Sequence, residues 1–269
     1  MNLKIYGCRG SVAISRAGES RYGGNTSCMV LSSGEHKLIV DAGSGIMQFE
    51  HYLQGVPPQN LNLLISHLHL DHIIGLSAFA PAYNDESSMK IFTSSRSNQP
   101  LKEQLFGIFE PPYWSISAKA AATAECIVIE ADKPFIIGPF TVTAFIASHS
   151  DQTLSFHITD GHKTFVHLLD SEISTLSPAE YEELLGYCKN ADLVVFDAAY
   201  SPDDYDLFKG WGHSTIADGI RLANDSNCKR MLFAHFSQIY SDSELDNWKI
   251  LFESSDRYIF AHDGLELSL

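Results

Sequence analysis

Short apolar runs recur along the chain and are separated by polar segments that contain glycine and proline. Their lengths are typical of buried β-strands. Several runs come early, and further ones alternate with helical segments through the rest of the chain. They predict strands at residues 3–6, 27–31, 37–40, 61–65, 90–93, 127–129, 141–147, 154–159, 163–168, 193–196 and 230–234, with two short strands around the turn at Asp263-Gly264.

Segments with helical spacing of apolar residues lie between these runs. They predict helices at residues 46–53, 178–188, 216–223 and 243–252. The first helix is stopped by Gly55 and the pair Pro57-Pro58, whereas the second has Ser177 as its N-cap and Pro178 at its first position. Each half of the chain thus supplies several strands and then helices. This pattern predicts one α/β domain over residues 1–269, with two sheets packed face to face and helices outside.

One loop carries a dense set of metal-binding side chains. It reads Ser-His-Leu-His-Leu-Asp-His from Ser66 to His72 and directly follows the predicted strand at 61–65. Its candidate ligands are His67, His69, Asp71 and His72. Neutral imidazole suits zinc and similar ions, and a carboxylate can ligate an ion, bridge two ions or take a proton from bound water.

Three more candidate ligands, His149, Asp170 and His235, each lie just past the end of a predicted strand. Side chains at strand ends converge at one edge of a sandwich and are held there rigidly. A lone histidine after a strand is usually structural, but the cluster at 67–72 requires further ligands. Five histidines and two aspartates are enough for two sites with a bridging water. The sequence therefore predicts a dinuclear metal centre.

The net charge of the chain, −15 from 18 basic and 33 acidic residues, narrows the range of substrates. Two divalent cations would offset only about four of these charges. Because nucleic-acid binding draws much of its affinity from lysine and arginine contacts to phosphates, such a field disfavours RNA and DNA. It leaves room for a small substrate with one or two phosphates, held by the metals.

The five cysteines are scattered and form no CxxC pair, so we expect reduced thiols in a cytoplasmic protein and no cysteine-built zinc site. The opening residues read as a first strand and show no signal-peptide pattern. Apolar runs stay well short of the roughly 20 residues that a membrane-spanning helix needs. We therefore expect no membrane partner.

The ordered ligand set resembles that of the metallo-β-lactamase superfamily of metallohydrolases, and the match spans almost the whole chain. The resemblance implies a four-layer αββα sandwich and two divalent ions, zinc first, with manganese or iron as alternatives. It implies one ion held by His67, His69 and His149, the other held by Asp71, His72 and His235, and Asp170 as the bridge. Asp41 matches an early aspartate that orients the ligand loop; the alternative is a turn aspartate before Gly43.

A second pair of residues resembles the phosphodiesterase branch of this superfamily, which includes ribonuclease Z. These are His213, in Gly-His-Ser-Thr, and Asp197, after the strand at 193–196. The resemblance implies that His213, oriented by Asp197, serves the scissile phosphate, while Asp71 acts at the metals. Cleaving a phosphodiester expels an alkoxide that needs a proton, and a protonated histidine supplies it. The alternative is that His213 only precedes the cap of the next helix.

Within this branch the sequence lacks a basic, glycine-rich insertion that could grip a tRNA. Its segments 7–11 and 21–27 instead resemble bacterial and phage phosphodiesterases that act on small cyclic phosphates. That resemblance implies a homodimer that opens 3′,5′-cyclic nucleotides to monophosphates, with Asn25 and Ser237 as candidate substrate contacts. Phosphoribosyl 1,2-cyclic phosphate phosphodiesterases are an alternative, although their cysteine-rich zinc site is missing here. A ribonuclease Z-like tRNA 3′ endonuclease and a non-hydrolysing cyclic-nucleotide sink are further alternatives.

An aromatic segment at about 104–122 is the candidate specificity element. It carries Phe109, Tyr113 and Trp114 beside a proline pair, and a base stacked on an aromatic ring gains about 1–3 kcal/mol. We expect an apolar lid over the site; packing within a surface loop or a dimer contact is the alternative. Arg9 and Arg21 are either phosphate contacts or solvated loop charges.

Overall fold

The computed structural model describes residues 1–17, 21–53, 60–115, 117–149, 152–250 and 255–269, so Gly55 and Pro57-Pro58 lie outside the described ranges. The strands in these ranges are β1 (Asn2–Gly7), β2 (Cys28–Ser33), β3 (His36–Val40), β4 (Asn60–Leu64), β5 (Ser88–Thr93), β6 (Glu125–Val128), β7 (Phe135–Ile137), β8 (Phe140–Ile146), β9 (Leu154–Thr159), β10 (Thr164–Leu168), β11 (Leu193–Asp197), β12 (Met231–Ala234), β13 (Tyr258–Phe260) and β14 (Glu266–Ser268).

The helices are α1 (Ile46–Leu53), α2 (Leu70–Ile73), α3 (Leu101–Phe106), α4 (Ala118–Ala121), α5 (Pro178–Cys188), α6 (Tyr205–Phe208), α7 (Ile216–Ser226) and α8 (Asp242–Ile250). Ser177 caps α5 through a capping box with Glu180, as the sequence predicts for this N-terminus. Among the described helices, none has the length and apolar composition needed to cross a bilayer.

The strands form two seven-stranded sheets with the same internal plan. One has the order β14-β1-β2-β3-β4-β5-β6 and the other β13-β12-β11-β10-β9-β8-β7. In the first sheet, β3 to β6 are parallel and the remaining pairs are antiparallel. In the second, β10 to β13 are parallel and β7 to β10 pair antiparallel. The parallel strands of both sheets bring their carboxyl ends to one edge.

Successive side chains of a strand enter different hydrophobic cores, and this shows how the layers pack. In β2, Met29 and Leu31 belong to the core shared with the second sheet, whereas Val30 joins a separate core that also contains Ile46 and Phe49 of α1. Because successive side chains of a strand point to opposite faces, the first sheet is covered on both faces. Helices α5 and α7 contribute Leu184 and Leu222 to the core of the second sheet. The predicted αββα sandwich is confirmed.

The structure also shows pairings and elements that the sequence did not predict. The two closing strands flank Asp263-Gly264 as predicted, but they belong to different sheets: β13 pairs with β12, and β14 pairs with β1. Strand β7 and helix α3 were not foreseen. The hairpin that joins β7 to β8 turns at Gly138, whose φ is 56°, followed by Pro139. Sequence periodicity identifies a strand but does not specify the sheet to which it belongs.

Candidate metal centre

Strand ends place the predicted ligands at one edge of the sandwich. His67 follows β4, Asp170 follows β10 and His235 follows β12 directly. These strands lie in the parallel parts of the two sheets, and β8, which precedes His149, runs in the same direction as β10 because both are antiparallel to β9. Carboxyl ends of parallel strands meet at one edge, which is where open α/β sheets bind their ligands.

The first group of ligand atoms comes from His67, His69, His149 and Asp170, and these atoms lie within 4.8 Å of one another. Asp170 Oδ1 is 3.8 Å from Nε2 of His67 and 3.8 Å from Nε2 of His149. His149 Nε2 is 3.3 Å from His69 Nδ1. His69 is exposed and His149 is partly buried, so this group faces the open side of the site.

The second group comes from Asp71, His72 and His235, all of them buried. Asp71 Oδ2 is 3.2 Å from His72 Nε2 and 3.5 Å from His235 Nε2. Asp170 turns its other oxygen to this group: Oδ2 is 3.1 Å from His72 Nε2 and 3.1 Å from His235 Nδ1. The structure therefore brings all seven candidate ligands together, with Asp170 between the two groups.

Unsatisfied polar atoms test whether these residues suit a metal. His67 Nε2, His72 Nε2, both ring nitrogens of His235 and Asp170 Oδ2 are buried and lack a hydrogen-bond partner. A buried polar atom without a partner costs free energy, so such atoms rarely collect in one place without a ligand. Imidazole nitrogens and carboxylate oxygens are ordinary ligands of divalent transition metals. The donor set fits divalent-metal binding.

The electrostatics of the cluster keep Asp170 ionised. Burial alone would raise the pKa of Asp170, but His235, His72 and His67 outweigh burial and hold that pKa well below its ordinary value. For His67, burial and the neighbouring His72 lower the pKa, so its ring is neutral and has a free lone pair. The ionised Asp170 and the neutral His67 are each in the form that metal ligation requires. At His72 the carboxylates of Asp170, Asp71 and Asp41 outweigh burial and raise the pKa of the ring well above its ordinary value, so this ring must release a proton when it binds a metal.

Asp41 lies behind the ligand loop. Its Oδ1 accepts a hydrogen bond from the Ser66 amide at 2.8 Å and its Oδ2 one from Ser66 Oγ at 3.0 Å. His72 Nδ1 is 2.8 Å from Asp41 Oδ2, which leaves Nε2 of that ring directed at the metal-binding atoms. His167 Nε2 is 3.5 Å from the same oxygen. Asp41 thus holds the loop at its first residue and at its last ligand.

Three residues of the centre have left-handed backbones, with φ of 61° at Asp41, 52° at Asp170 and 64° at His235. Non-glycine residues seldom adopt this conformation, and it is retained where the surrounding structure holds it. Each of the three follows the end of a strand, where the chain must turn away from the sheet while the side chain points along it. The strand-end pattern in the sequence located these residues but not their conformation.

His213 and Asp197 form a pair beside the cluster. His213 Nδ1 is 2.8 Å from Asp197 Oδ2, and it lies 4.0 Å from Asp170 Oδ1. Burial alone would lower the pKa of His213, but Asp197 and the metal-site carboxylates raise it to about 9. Thr215 is the N-cap of α7, so His213 both precedes a helix cap and reaches the site.

Sequence reasoning missed two glycines that shape the centre. A Cβ on Gly10 would lie 2.0 Å from Cδ2 of His235, and one on Gly212 would lie 2.1 Å from Nδ1 of His149. Only glycine leaves room for these two rings. Next to Gly10, the Ser11 amide donates a hydrogen bond to Asp71 Oδ2 at 2.8 Å. Gly10 and Ser11 lie in the segment 7–11, which the sequence comparison singled out by resemblance, but no role was assigned to either residue.

Several candidate substrate contacts have other partners. Phe109 is only 3% exposed in the outer core, and Trp114 packs edge-on against it with ring centroids 5.9 Å apart. These rings pack the surface loop, and the exposed ring of the segment is that of Tyr113. Asn25 Nδ2 donates to Asp263, and its Oδ1 accepts from Ser44. The lid interpretation is therefore wrong for the buried Phe109, whereas for the partly buried Trp114 it stays a prediction, and Asn25 braces a loop.

Neither interpretation of Arg9 is correct, because this side chain is fully buried. It donates to the Gly23 and Tyr240 carbonyls and pairs with Asp242 at 3.3 Å. Arg21 is exposed and pairs with Asp246. Ser237 is buried two residues after His235, and its hydroxyl bonds to Gln238 at 3.3 Å.

A comparison with known families places the chain in a superfamily. The sequence model of the beta-lactamase superfamily domain matches residues 36–236, a range that contains every candidate ligand. The chain belongs to this beta-lactamase superfamily. It is a metallo-hydrolase of the metallo-β-lactamase fold.

Relatives agree with this placement in the superfamily. The chain is 23% identical to the probable metallo-hydrolase YhfI of Bacillus subtilis over 87% of this chain and 86% of that protein. It is 22% identical to ribonuclease Z of Streptomyces coelicolor over 77% of this chain and 79% of that protein. The crystal structure of Zn²⁺-bound PqqB from Methylobacterium extorquens shares the fold, with a TM-score of 0.76, 18% identity and full coverage of both chains.

Proposed function

We propose that this protein is a dinuclear metal-dependent phosphodiesterase that hydrolyses small cyclic phosphodiesters, above all 3′,5′-cyclic nucleotides, to monophosphates. The observation that carries the proposal is the His213–Asp197 pair, joined at 2.8 Å and placed beside the metal-binding atoms. A thioester hydrolase expels a thiolate, which is a better leaving group than an alkoxide, and therefore has less need of such a pair. A phosphodiesterase needs a proton for a poor alkoxide leaving group.

The proposed metal ligands are the two groups joined by Asp170. His67, His69 and His149 would hold one ion and Asp71, His72 and His235 the other, with zinc as the proposed metal. Divalent ions bound there supply Lewis acidity toward phosphoryl oxygens and activate water for attack. Asp41 and the Ser11 amide keep His72 and Asp71 in place, and Asp71 stays ionised because its pKa is held far below the ordinary value.

His213 supplies the proton in the proposed reaction. Water loses one proton to the solvent as it attacks phosphorus, the bond from phosphorus to the 3′ oxygen breaks, and the departing alkoxide takes a proton from His213 Nε2. A proton from the solvent then restores His213. Its Nδ1 is engaged with Asp197, which fixes the ring and stabilises its protonated form. Asp197 outweighs burial in raising the pKa of His213, so it favours the protonated ring that can act as the acid.

Charge supports a small substrate. The chain carries −15, and a long polyanion would meet this field over a large surface. A cyclic mononucleotide carries one negative charge and needs only the site itself. The ribonuclease Z relatives support a second candidate, a tRNA 3′ endonuclease, which requires extended phosphate contacts.

A substrate panel tests the proposal. Chelator-stripped protein, reloaded with zinc or manganese, would be assayed against 3′,5′-cyclic nucleotides with each of the four common bases, a precursor tRNA, a lactone and a thioester. We expect metal-dependent turnover of cyclic nucleotides, with product analysis showing monophosphates. Turnover of the lactone or thioester without any phosphodiester turnover would refute the proposal.

A further inference from the structure

Glu172 is a buried carboxylate at the meeting point of three loops of the centre. It lies two residues after Asp170 and is 2% exposed. Its own amide donates to the Ser148 carbonyl at 2.7 Å, which ties the Asp170 loop to the loop that carries His149. Its side chain reaches in another direction, to the loop at residues 210–213.

The side-chain carboxylate of Glu172 spans two backbone amides of that loop. Oε1 accepts from Gly210 N at 2.8 Å and from Tyr205 Oη at 2.6 Å, and Oε2 accepts from Gly212 N at 2.9 Å. A buried carboxylate is costly unless hydrogen bonds compensate for its lost hydration, and these three donors do so. The two loop amides that it holds are the ones on either side of Trp211.

The clamped segment controls two functional side chains. Gly212 O is 2.9 Å from His149 Nδ1, so this carbonyl orients the ring whose other nitrogen faces the metal group. His213 is the next residue along the chain. Ser214 strengthens the attachment, because its Oγ donates to the Ser171 carbonyl at 2.5 Å and accepts from the Ile173 amide at 3.0 Å.

We propose that Glu172 is a positioning residue that fixes His149 and His213 relative to Asp170. It acts through the backbone of residues 210–212 and touches neither substrate nor metal. The part that concerns His149 rests only on the ligand geometry, whereas the part that concerns His213 rests on the proposed phosphodiesterase function. A ligand whose hydrogen-bonded partner is displaced typically loses 10–100-fold in metal affinity or activity.

Glu172→Gln is the test variant, because it keeps the size of the side chain but replaces one acceptor oxygen with an N–H donor. One of the two loop amides then faces a donor and loses its acceptor. We expect the apparent zinc dissociation constant of the weaker-held metal to rise about 10–100-fold. With a 3′,5′-cyclic nucleotide as substrate, whose alkoxide leaving group needs a proton, kcat should fall by a similar factor while KM changes little. The visible spectrum of the cobalt-substituted protein should change as His149 moves.

Two variants serve as controls. Tyr205→Phe removes one donor from the carboxylate but leaves both loop amides bound, so zinc affinity should stay within about threefold of that of the unaltered protein. Asp192 is another carboxylate that accepts a hydrogen bond from a backbone amide, that of Thr164, but it lies at the opposite end of the strands. Asp192→Asn removes the charge of this acceptor. It should lower stability without changing the metal affinity or the cobalt spectrum. Glu172→Asp, which is too short to span both amides, replaces the glutamine variant if that variant does not fold.

The proposal is overturned if Glu172→Gln binds zinc as the unaltered protein does and keeps kcat within about twofold. It is equally overturned if Glu172→Gln loses metal only in proportion to its unfolded fraction, because a change in stability alone then explains the loss. If the unaltered protein cleaves no phosphodiester, the proposed function fails, and zinc affinity with the cobalt spectrum still decides whether Glu172 positions His149.

Discussion

Gly212 and Gly210 share one backbone conformation but differ in their surroundings, and this difference gives a residue-scale prediction. Both have φ of 86°, yet a Cβ on Gly212 would meet His149 Nδ1 at 2.1 Å, whereas one on Gly210 would meet nothing within 4 Å. Alanine at either position incurs a left-handed backbone cost on the order of 1 kcal/mol. We expect only Gly212→Ala to lose metal as well, measured as zinc bound per chain after dialysis.

Gly210→Ala is the matched control, since it carries the same backbone cost without a contact to His149. Equal zinc content in the two variants, at equal folded fraction, would mean that the His149 ring can move aside without losing its metal. The prediction would then be wrong.

The acid role of His213 gives a second residue-scale prediction. His213→Ala should retain metal and lose about 10²–10⁴-fold in kcat, the usual contribution of a general acid.

Asp197→Asn should lower the pKa of His213, because Asp197 is the largest influence that raises it. The alkaline fall of kcat should therefore move to lower pH, as shown by rate measurements between pH 6 and pH 10 with metal held saturating. An unchanged pH profile in Asp197→Asn would show that Asp197 does not control the pKa of the catalytic acid.

At this scale the sequence predicted some side chains far better than others. The seven candidate ligands were found because imidazoles and carboxylates after apolar strands have few structural uses. Glu172 was not found, because its partners are backbone amides about forty residues away and a lone glutamate after an aspartate has no signature. Phe109 was misassigned because an aromatic ring in a loop looks the same in sequence whether it packs inward or faces a substrate.

At the scale of elements, Asp192 ties β10 to the start of β11 and predicts a pH dependence of stability. It accepts from the Thr164 amide at 2.9 Å, Lys163 at 3.1 Å and Lys229 at 2.7 Å. Burial would raise its pKa, but these donors, with Lys229 the largest, lower the pKa to about 2. The folded state therefore favours the ionised form, and this stabilisation is complete above about pH 4 and is lost as pH falls toward 2.

Asp192→Asn should lower the free energy of unfolding by on the order of 1 kcal/mol at pH 7. The difference from the unaltered protein should shrink as pH approaches 2, because the native carboxylate is then protonated as well. Denaturant unfolding at several pH values measures it. A difference that stays constant over this range would show that the ion pairs contribute nothing.

Element positions were predicted well where the apolar pattern is strong, and pairing was not. The range 178–188 was predicted as a helix and matches α5, because an N-cap serine and a proline mark its start. Strand β7 was missed because three residues show no periodicity. The turn sequence between β13 and β14 did not reveal that these two strands belong to different sheets. Which sheet a strand enters depends on neighbours far away in the sequence.

At the scale of the whole molecule, charge separates the two candidate functions. With a net charge of −15, the protein should show no salt-sensitive complex with a precursor tRNA at micromolar concentration and low ionic strength. A gel-shift series in salt tests this, with mature tRNA as the control. A complex that weakens steeply with salt, together with cleavage at the 3′ end of the precursor, would favour the endonuclease over the cyclic-nucleotide enzyme.

The pairing of β1 with β14 affects how the chain folds during translation. Asn2 pairs with Ser268, and Leu3 pairs with Leu267. The strand pair at the edge of this sheet therefore joins residues that lie far apart along the sequence. During translation, the free edge of β1 stays uncovered until β14 has been made. Exposed strand edges invite pairing with other chains, so chaperone dependence and premature aggregation should concentrate in this interval.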